Sequence, residues 1–165
     1  MKITMIVAMA RLGVIGKNGN LPWAGKLRAD MDHFKKVTMN KTVVMGRKTF
    51  DSIPARFKPL PERENVILTR DSNYSQPDCL VLHHRDEVLR LAELRDEVFI
   101  IGGAEIYRLM MPYTSRLIVT HLFSLIEGDT FFPPMPGNWN AETLFNQEVD
   151  EKNFFPFSVV EYTRD

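Results

Sequence analysis

The run Thr42-Val43-Val44-Met45-Gly46-Arg47-Lys48-Thr49-Phe50 reads as a strand handing over to a helix. Thr42–Met45 is short, apolar and β-branched, as in a strand covered on both faces of an α/β sheet. Gly46 closes it, and basic and hydroxyl residues open the helix. Two readings are open: a phosphate met by free backbone N–H groups and the helix dipole, or an ordinary turn with an exposed arginine. The same grammar recurs at Val98–Ile101, where Gly102-Gly103-Ala104-Glu105 leads into a helix over Ile106–Met111. Paired glycines also serve tight turns, and GxGxxG spacing is absent, so a standard Rossmann fingerprint is excluded. Two such turns together can hold the pyrophosphate of one dinucleotide between two helix starts.

Outward from these units, Ile3–Ala10 is a nearly continuous apolar strand. Asn65–Thr69, Leu80–Leu82 and Leu117–Leu122 add strands. Asp86–Leu94 is a helix with Val88, Leu91 and Ala92 on its inner face. Pro54–Pro61 holds three prolines and is a loop. Phe145–Val149 and Phe157–Tyr162 alternate as an antiparallel hairpin. The fold expected is α/β: a mixed, mostly parallel central sheet with flanking helices and a C-terminal antiparallel hairpin.

A further helix runs through Leu27–Phe34 and ends near Asn40. Its period puts Leu27, Asp30, Met31 and Phe34 on one face and Asp32 opposite, toward solvent. A carboxylate on an apolar face is costly without a partner or a ligand, although Asp30 early in a helix also complements its dipole. Before it, Ile15–Trp23 is rich in glycine and asparagine and ends in Pro22-Trp23. It is expected to be a mobile lid over a small-molecule site.

With 165 residues, 21 basic and 21 acidic, the chain fits one soluble domain without the charge footprint of nucleic-acid or membrane-surface binding. No apolar run reaches membrane-spanning length, and no signal-peptide pattern is present. A single cysteine, Cys79, points to a reducing, cytoplasmic setting. No His/Cys cluster has metal-ligand spacing, so no metal is expected. A monomer is the default.

Arg47 and Arg70 follow two of the strands, where a ribose 2′-phosphate wants arginine, which favours NADP over NAD. A half-buried carboxylate such as Asp30 can bind an amidine-like edge, such as the N3 and 2-amino group of a pterin. With a hydride donor alongside, that arrangement suits reduction of a C=N bond.

Taken together, Ile15-Gly16, Leu21-Pro22-Trp23, Asp30 with Phe34-Lys35, Val43–Thr49, Ser52-Ile53-Pro54, Pro59-Leu60-Pro61 with Arg63, Ile101–Tyr107 and Glu127-Gly128-Asp129-Thr130 resemble the chromosomal, bacterial-type dihydrofolate reductase family along essentially the whole chain. The resemblance implies a single domain over 1–165 with an adenosine-binding subdomain at about 41–95. It also implies NADPH-dependent reduction of 7,8-dihydrofolate to tetrahydrofolate, with antifolates as further ligands. By that likeness Asp30, Leu21, Trp23 and Tyr107 are catalytic. Ala8, Asp30, Met31, Phe34, Ile53, Leu60, Arg63, Ile101 and Thr120 bind substrate, Arg63 pairing with the glutamate-tail carboxylate and Thr120 bonding the acid. Ala8, Ile15, Gly16, Asn20, Leu21, Gly46, Arg47, Lys48, Thr49, Thr69, Arg70 and Ile101 bind cofactor, as do Gly102, Gly103, Ala104, Glu105, Ile106 and Tyr107. The likeness further implies a cis Gly102–Gly103 bond and an Asp129 turn that braces the closed lid.

The chain departs from the pattern in three places. Ala24-Gly25-Lys26 lengthens the connection from Trp23 to Leu27. Phe50 stands where tryptophan is common. Arg70 and His83 fall where 2′-phosphate contacts vary, so NADP preference rests chiefly on Arg47 and Arg70. Alternatives to weigh are a sister reductase of flavin synthesis on the same fold, and a nucleotide-binding module without turnover. The acid at Asp30 together with Arg63 argues against the first, and the intact lid and cofactor turns against the second.

Overall fold

The computed structural model describes all residues, Met1–Asp165. Ten strands and four α-helices form: β1 Ile3–Met9, β2 Val14–Gly16, α1 Arg28–Thr38, β3 Thr42–Gly46, α2 Arg47–Ser52, β4 Glu64–Leu68, β5 Leu80–Leu82, α3 Arg85–Glu93, β6 Val98–Gly102, α4 Ala104–Met110, β7 Arg116–Leu122, β8 Thr130–Phe131, β9 Asn140–Gln147 and β10 Phe157–Thr163. Eight strands make one sheet in the order β5-β4-β3-β6-β1-β7-β10-β9. The pairs from β5 through β7 are parallel, and β10 joins β7 and β9 antiparallel. This is the mixed sheet expected.

Two buried clusters explain why the central strands are unbroken apolar runs: both faces are covered. On one face Val43, Met45, Phe50, Ile67, Phe99, Ile118 and Phe157 pack beneath α1 and the Trp23 anchor. On the other, Met5, Val44, Val66, Ile100 and Leu117 pack against Val88, Leu91 and Ala92 of α3 and Tyr107 and Met110 of α4. Phe50, at the position where tryptophan is common, is 2% exposed and simply fills the core.

Several boundaries differ from the sequence expectation. Ile15 and Gly16, read as the start of the mobile loop, belong to strand β2, which pairs antiparallel with Thr130–Phe131 in a second small sheet. With Trp23 buried at the far end, the segment read as a lid shrinks to Lys17–Pro22. Strand β9 begins at Asn140, earlier than read, and stops at Gln147 rather than Val149. Its pattern is almost wholly exposed because it is an edge strand, so hydrophobic alternation marks only its end. Helix α4 starts at Ala104 rather than Ile106, and α1 ends at Thr38 rather than near Asn40. Met31, assigned to the inner face of α1, is 52% exposed. The packed stripe runs Leu27, Phe34 and Val37, and Met31 flanks it at the rim.

Candidate active site

The candidate residues gather at the carboxyl ends of the parallel strands, where open α/β sheets place their ligands. Ala8 lies near the end of β1 and pairs in register with Thr120 of β7. Gly46 ends β3, Thr69 and His83 follow β4 and β5, and Gly102 ends β6. Ile101 falls at a register shift between β3 and β6: Val44 pairs with Ile100 and Met45 with Gly102. Ala8, Phe34, Ile53, Leu60 and Ile101 all pack around the α1-side cluster, Ile101 on the same face of β6 as Phe99.

Asp30 stands in the first turn of α1 above this apolar wall. The Thr120 hydroxyl donates to its Oδ1 at 2.6 Å. Burial pushes the Asp30 carboxyl above the ordinary aspartate range, and the Thr120 hydrogen bond only partly offsets this. Asp32 points the other way and pairs with Arg28 in solvent, as its helical offset requires. Arg63 lies beyond α1, half-buried. Its Nε donates to the Pro61 carbonyl at 2.9 Å and its NH1 to Thr38 Oγ1 at 3.1 Å, with the guanidinium over the Phe34 ring. These contacts fix the guanidinium while leaving it without a carboxylate partner.

The nucleotide side is built from the two glycine turns. Gly102–Gly103 is a cis peptide. A Cβ on Gly103 would come 3.4 Å from the Thr49 hydroxyl, and one on Gly46 would come 3.1 Å from Ile106. The turns of β3 and β6 therefore close on each other, with the Ile106 and Thr49 side chains packed against the glycines. Helices α2 and α4 both start without a side-chain cap. Tyr107 is fully buried; its hydroxyl donates to the Ile6 carbonyl at 2.8 Å, and burial drives its acidity far down. It ties α4 to β1 beneath the cis turn. A cleft of about 780 Å³ continues past Thr69, Arg70, His83, His84 and Arg85 to Glu105 and Ile106. The His83 Nδ1 is bonded to the Thr69 carbonyl at 2.9 Å. Arg47 stacks on Tyr74 and pairs with Asp71, while Arg85 pairs with Asp86. Arg70 has no acidic partner, so a cation is left for an anion in a cleft of nucleotide size. The glycine cradle and the unpaired Arg70 fit a phosphorylated dinucleotide.

The lid is held from a distant turn. Asn18-Gly19 forms a tight hairpin tip, both residues at positive φ, with Lys17 and Asn20 exchanging backbone hydrogen bonds. Asp129 Oδ2 accepts the Asn18 N–H at 2.9 Å, and the Asp129 N–H donates to the Gly16 carbonyl at 3.0 Å. Leu21 is half exposed near this tip and Trp23 is buried at its root. Sequence reading missed the β2–β8 pairing that anchors one side of the lid. The alternation is too short to register, although Asn18-Gly19 itself is a hairpin signal. No group of acidic, histidine and cysteine side chains is placed to hold a metal ion. No helix is long and apolar enough to cross a membrane.

An acid bonded to a strand threonine above an apolar wall, at the same sheet edge as a glycine cradle, fits a nicotinamide-dependent reductase. The comparisons narrow the class. A family model described as dihydrofolate reductase matches residues 2–164. A dihydrofolate reductase of Staphylococcus haemolyticus is 37% identical over 165 residues, covering 99% of this chain and 96% of that one. That of Bacillus subtilis (strain 168) is 36% identical over 163 residues, covering 98% and 94%. The solved structure of a dihydrofolate reductase from Enterococcus faecalis, complexed with NADP(H) and RAB-propyl, superposes with a TM-score of 0.88 at 34% identity, covering 99% of this chain and 96% of that one. The chain belongs to the dihydrofolate reductase family and is an NADPH-dependent reductase of 7,8-dihydrofolate.

Proposed function

We propose that Asp30 is the centre of this reduction, which yields 5,6,7,8-tetrahydrofolate. The observation that carries the proposal is the desolvated Asp30 carboxyl hydrogen-bonded to Thr120 at the sheet's carboxyl edge. Asp30 accepts paired hydrogen bonds from the N3 and 2-amino edge of the pterin and favours protonation at N5. Thr120 fixes which carboxylate oxygen faces the ring. Ala8, Met31, Phe34, Ile53, Leu60 and Ile101 enclose the ring and the benzoyl group and keep water away. Arg63 takes the α-carboxylate of the glutamate tail, and antifolates of the same shape compete there.

NADPH, when bound, supplies the hydride that reaches C6. The first-turn N–H groups of α2 and α4, with Gly46, Lys48, Thr49 and Gly102–Ile106, hold its pyrophosphate. Thr69 and Arg70, with Arg47, hold the 2′-phosphate in an adenosine subdomain spanning about 41–95. Ile15, Gly16, Asn20 and Leu21 close over the nicotinamide, Trp23 anchors the lid, and Tyr107 holds the cis turn against β1. The chain works as a cytoplasmic monomer without a nucleic-acid partner.

The test is NADPH oxidation by the purified protein, with and without dihydrofolate. Oxidation must require dihydrofolate. Asp30→Asn is expected to lower kcat/KM by about 10²–10⁴, with NADPH affinity kept within about twofold by fluorescence titration. Parental turnover in Asp30→Asn would refute the role given to the acid.

A further inference from the structure

Helix α1 presents Asp30 in its first turn but lacks a cap of its own. The N-cap position is Leu27, an apolar residue 2% exposed, and it makes no side-chain capping bond. The first-turn N–H groups of a helix have no intrahelical acceptor and need one from elsewhere. Here the acceptors come from the loop between β9 and β10. The Arg28 N–H donates to the Lys152 carbonyl at 3.1 Å, and the Ala29 N–H donates to Asn153 Oδ1 at 2.8 Å. The Phe154 N–H donates back to the Lys26 carbonyl at 2.8 Å, and Leu27 and Asn153 form an antiparallel bridge.

Asn153 is an unusual residue for a loop: it is 4% exposed, and its backbone N–H, carbonyl, Oδ1 and Nδ2 are each hydrogen-bonded. Its Nδ2 donates to Asp150 Oδ1 at 3.0 Å, which orients the amide so that Oδ1 faces α1. Asp150 Oδ1 also accepts the backbone N–H groups of Lys152 and Asn153, each at 2.8 Å. Gln147 adds a bond to Asp150 Oδ2 at 3.2 Å. The residues Ala24-Gly25-Lys26 are accommodated at the same place. Lys26 closes a turn onto the Trp23 carbonyl and offers its own carbonyl to Phe154, so the longer connection docks on this loop rather than extending the lid.

We propose that Asn153 is a positioning residue for the reduction: as the cap of α1 supplied from the C-terminal hairpin, it fixes the height of Asp30 against Thr120. The inference rests on the reading of Asp30 given above. Asp30 lies one residue beyond the capped Ala29, so a shift of the helix start moves the carboxylate off the Thr120 hydroxyl before it disturbs the rest of the helix.

The experiment pairs kinetics with exchange. In Asn153→Ala, kcat/KM for dihydrofolate is expected to fall about tenfold, with NADPH affinity kept within about twofold. The break in the pH–rate profile that Asp30→Asn abolishes is expected to move. The reciprocal pair Asp150→Asn with Asn153→Asp keeps an acceptor toward Ala29 and a donor between the two side chains. It is expected to recover most of the loss in kcat/KM. In the parental protein the Ala29 amide is expected to exchange as slowly as the interior amides of α1. Parental kinetics and pH profile in Asn153→Ala overturn the proposal. So do equal losses for dihydrofolate and NADPH, or a folded reciprocal pair that stays as slow as Asn153→Ala. If Asn153→Ala does not fold, Ala29 exchanging like an exposed amide overturns it. Asp30→Asn separates the two claims: turnover surviving that change sinks the reading of Asp30, whereas turnover lost there and unchanged in Asn153→Ala sinks only the positioning role.

Discussion

The role proposed for Asp30 sets function against stability in one side chain. Burial raises its carboxyl above the ordinary range, so the folded protein holds that proton to a higher pH than the unfolded chain does. Its contribution is fully present below the unfolded value of 3.8 and is lost as pH rises through the raised folded value. At neutral pH the ionised, desolvated carboxylate therefore destabilises the ligand-free protein. Asp30→Asn is expected to raise the melting temperature at pH 7 while turnover collapses, and the gain is expected to shrink toward pH 4 in a thermal-melt series. Arg63 is the complementary case, a fixed guanidinium with no acid of its own. Arg63→Ala is expected to raise the dihydrofolate KM by about 10–100-fold, as loss of a charged hydrogen-bonded pair does. NADPH affinity is expected to stay within about twofold, read by steady-state kinetics and fluorescence titration. Arg70, the unpaired cation of the nucleotide cleft, carries the opposite expectation. Arg70→Ala is expected to weaken NADPH about tenfold while leaving NADH affinity unchanged in the same titration.

Among the elements, the lid and the turn that braces it depend on one close approach. A Cβ on Gly128 would sit 2.2 Å from Val14 Cγ1 and 2.6 Å from the Gly16 carbonyl oxygen. Backbone cannot yield at that distance without parting β2 from the turn that carries Asp129. Gly128→Ala is expected to cost about 1–3 kcal/mol of stability, as overpacking does. It is also expected to lower kcat about tenfold through a lid that no longer closes squarely. Faster amide exchange at Asn18 would report the lost Asp129 contact; unchanged exchange and turnover would count against this account of the brace.

For the whole molecule, the sheet end opposite the site is tied by charge. Glu97, 9% exposed, accepts the Thr4 hydroxyl at 2.6 Å and Arg116 NH1 at 3.0 Å, and Lys2 lies 3.4 Å away. Arg116 also bonds Glu161 at 2.8 Å, so β1, β7 and β10 meet in one network. Burial pushes the Glu97 carboxyl up, but the Thr4 bond and the two cations outweigh it and hold it below the ordinary value of 4.5. A depressed carboxyl stabilises above its unfolded value and loses that stabilisation as pH falls through the folded one. Urea unfolding is therefore expected to show stability falling below about pH 4.5. Glu97→Gln is expected to flatten that fall and to cost about 1–3 kcal/mol at neutral pH.

The central strands, the glycine turns and the place of Asp30 on α1 were legible in residue order. Burial on both faces of a central strand imposes an apolar run, and a tight strand-to-helix turn imposes glycine; both constraints are local. Family resemblance added Thr120 as the partner of Asp30, the cis Gly102–Gly103 bond and the Asp129 brace, which no period contains. The first part of edge strand β9 and the two-residue strand β8 escaped because neither has a buried face to mark it. Met31 was drawn inward because a helical period cannot tell the middle of a packed stripe from its rim. Tertiary structure gave the contacts that hold the site their geometry and alone revealed the Asn153 cap. Thr120 meets Asp30 across 90 residues, Asp129 braces Asn18 across 111, and Asn153 caps α1 across 124. A hydrogen bond between such distant residues leaves no periodic trace in either segment, because each side chain answers to a partner that only the folded sheet brings near.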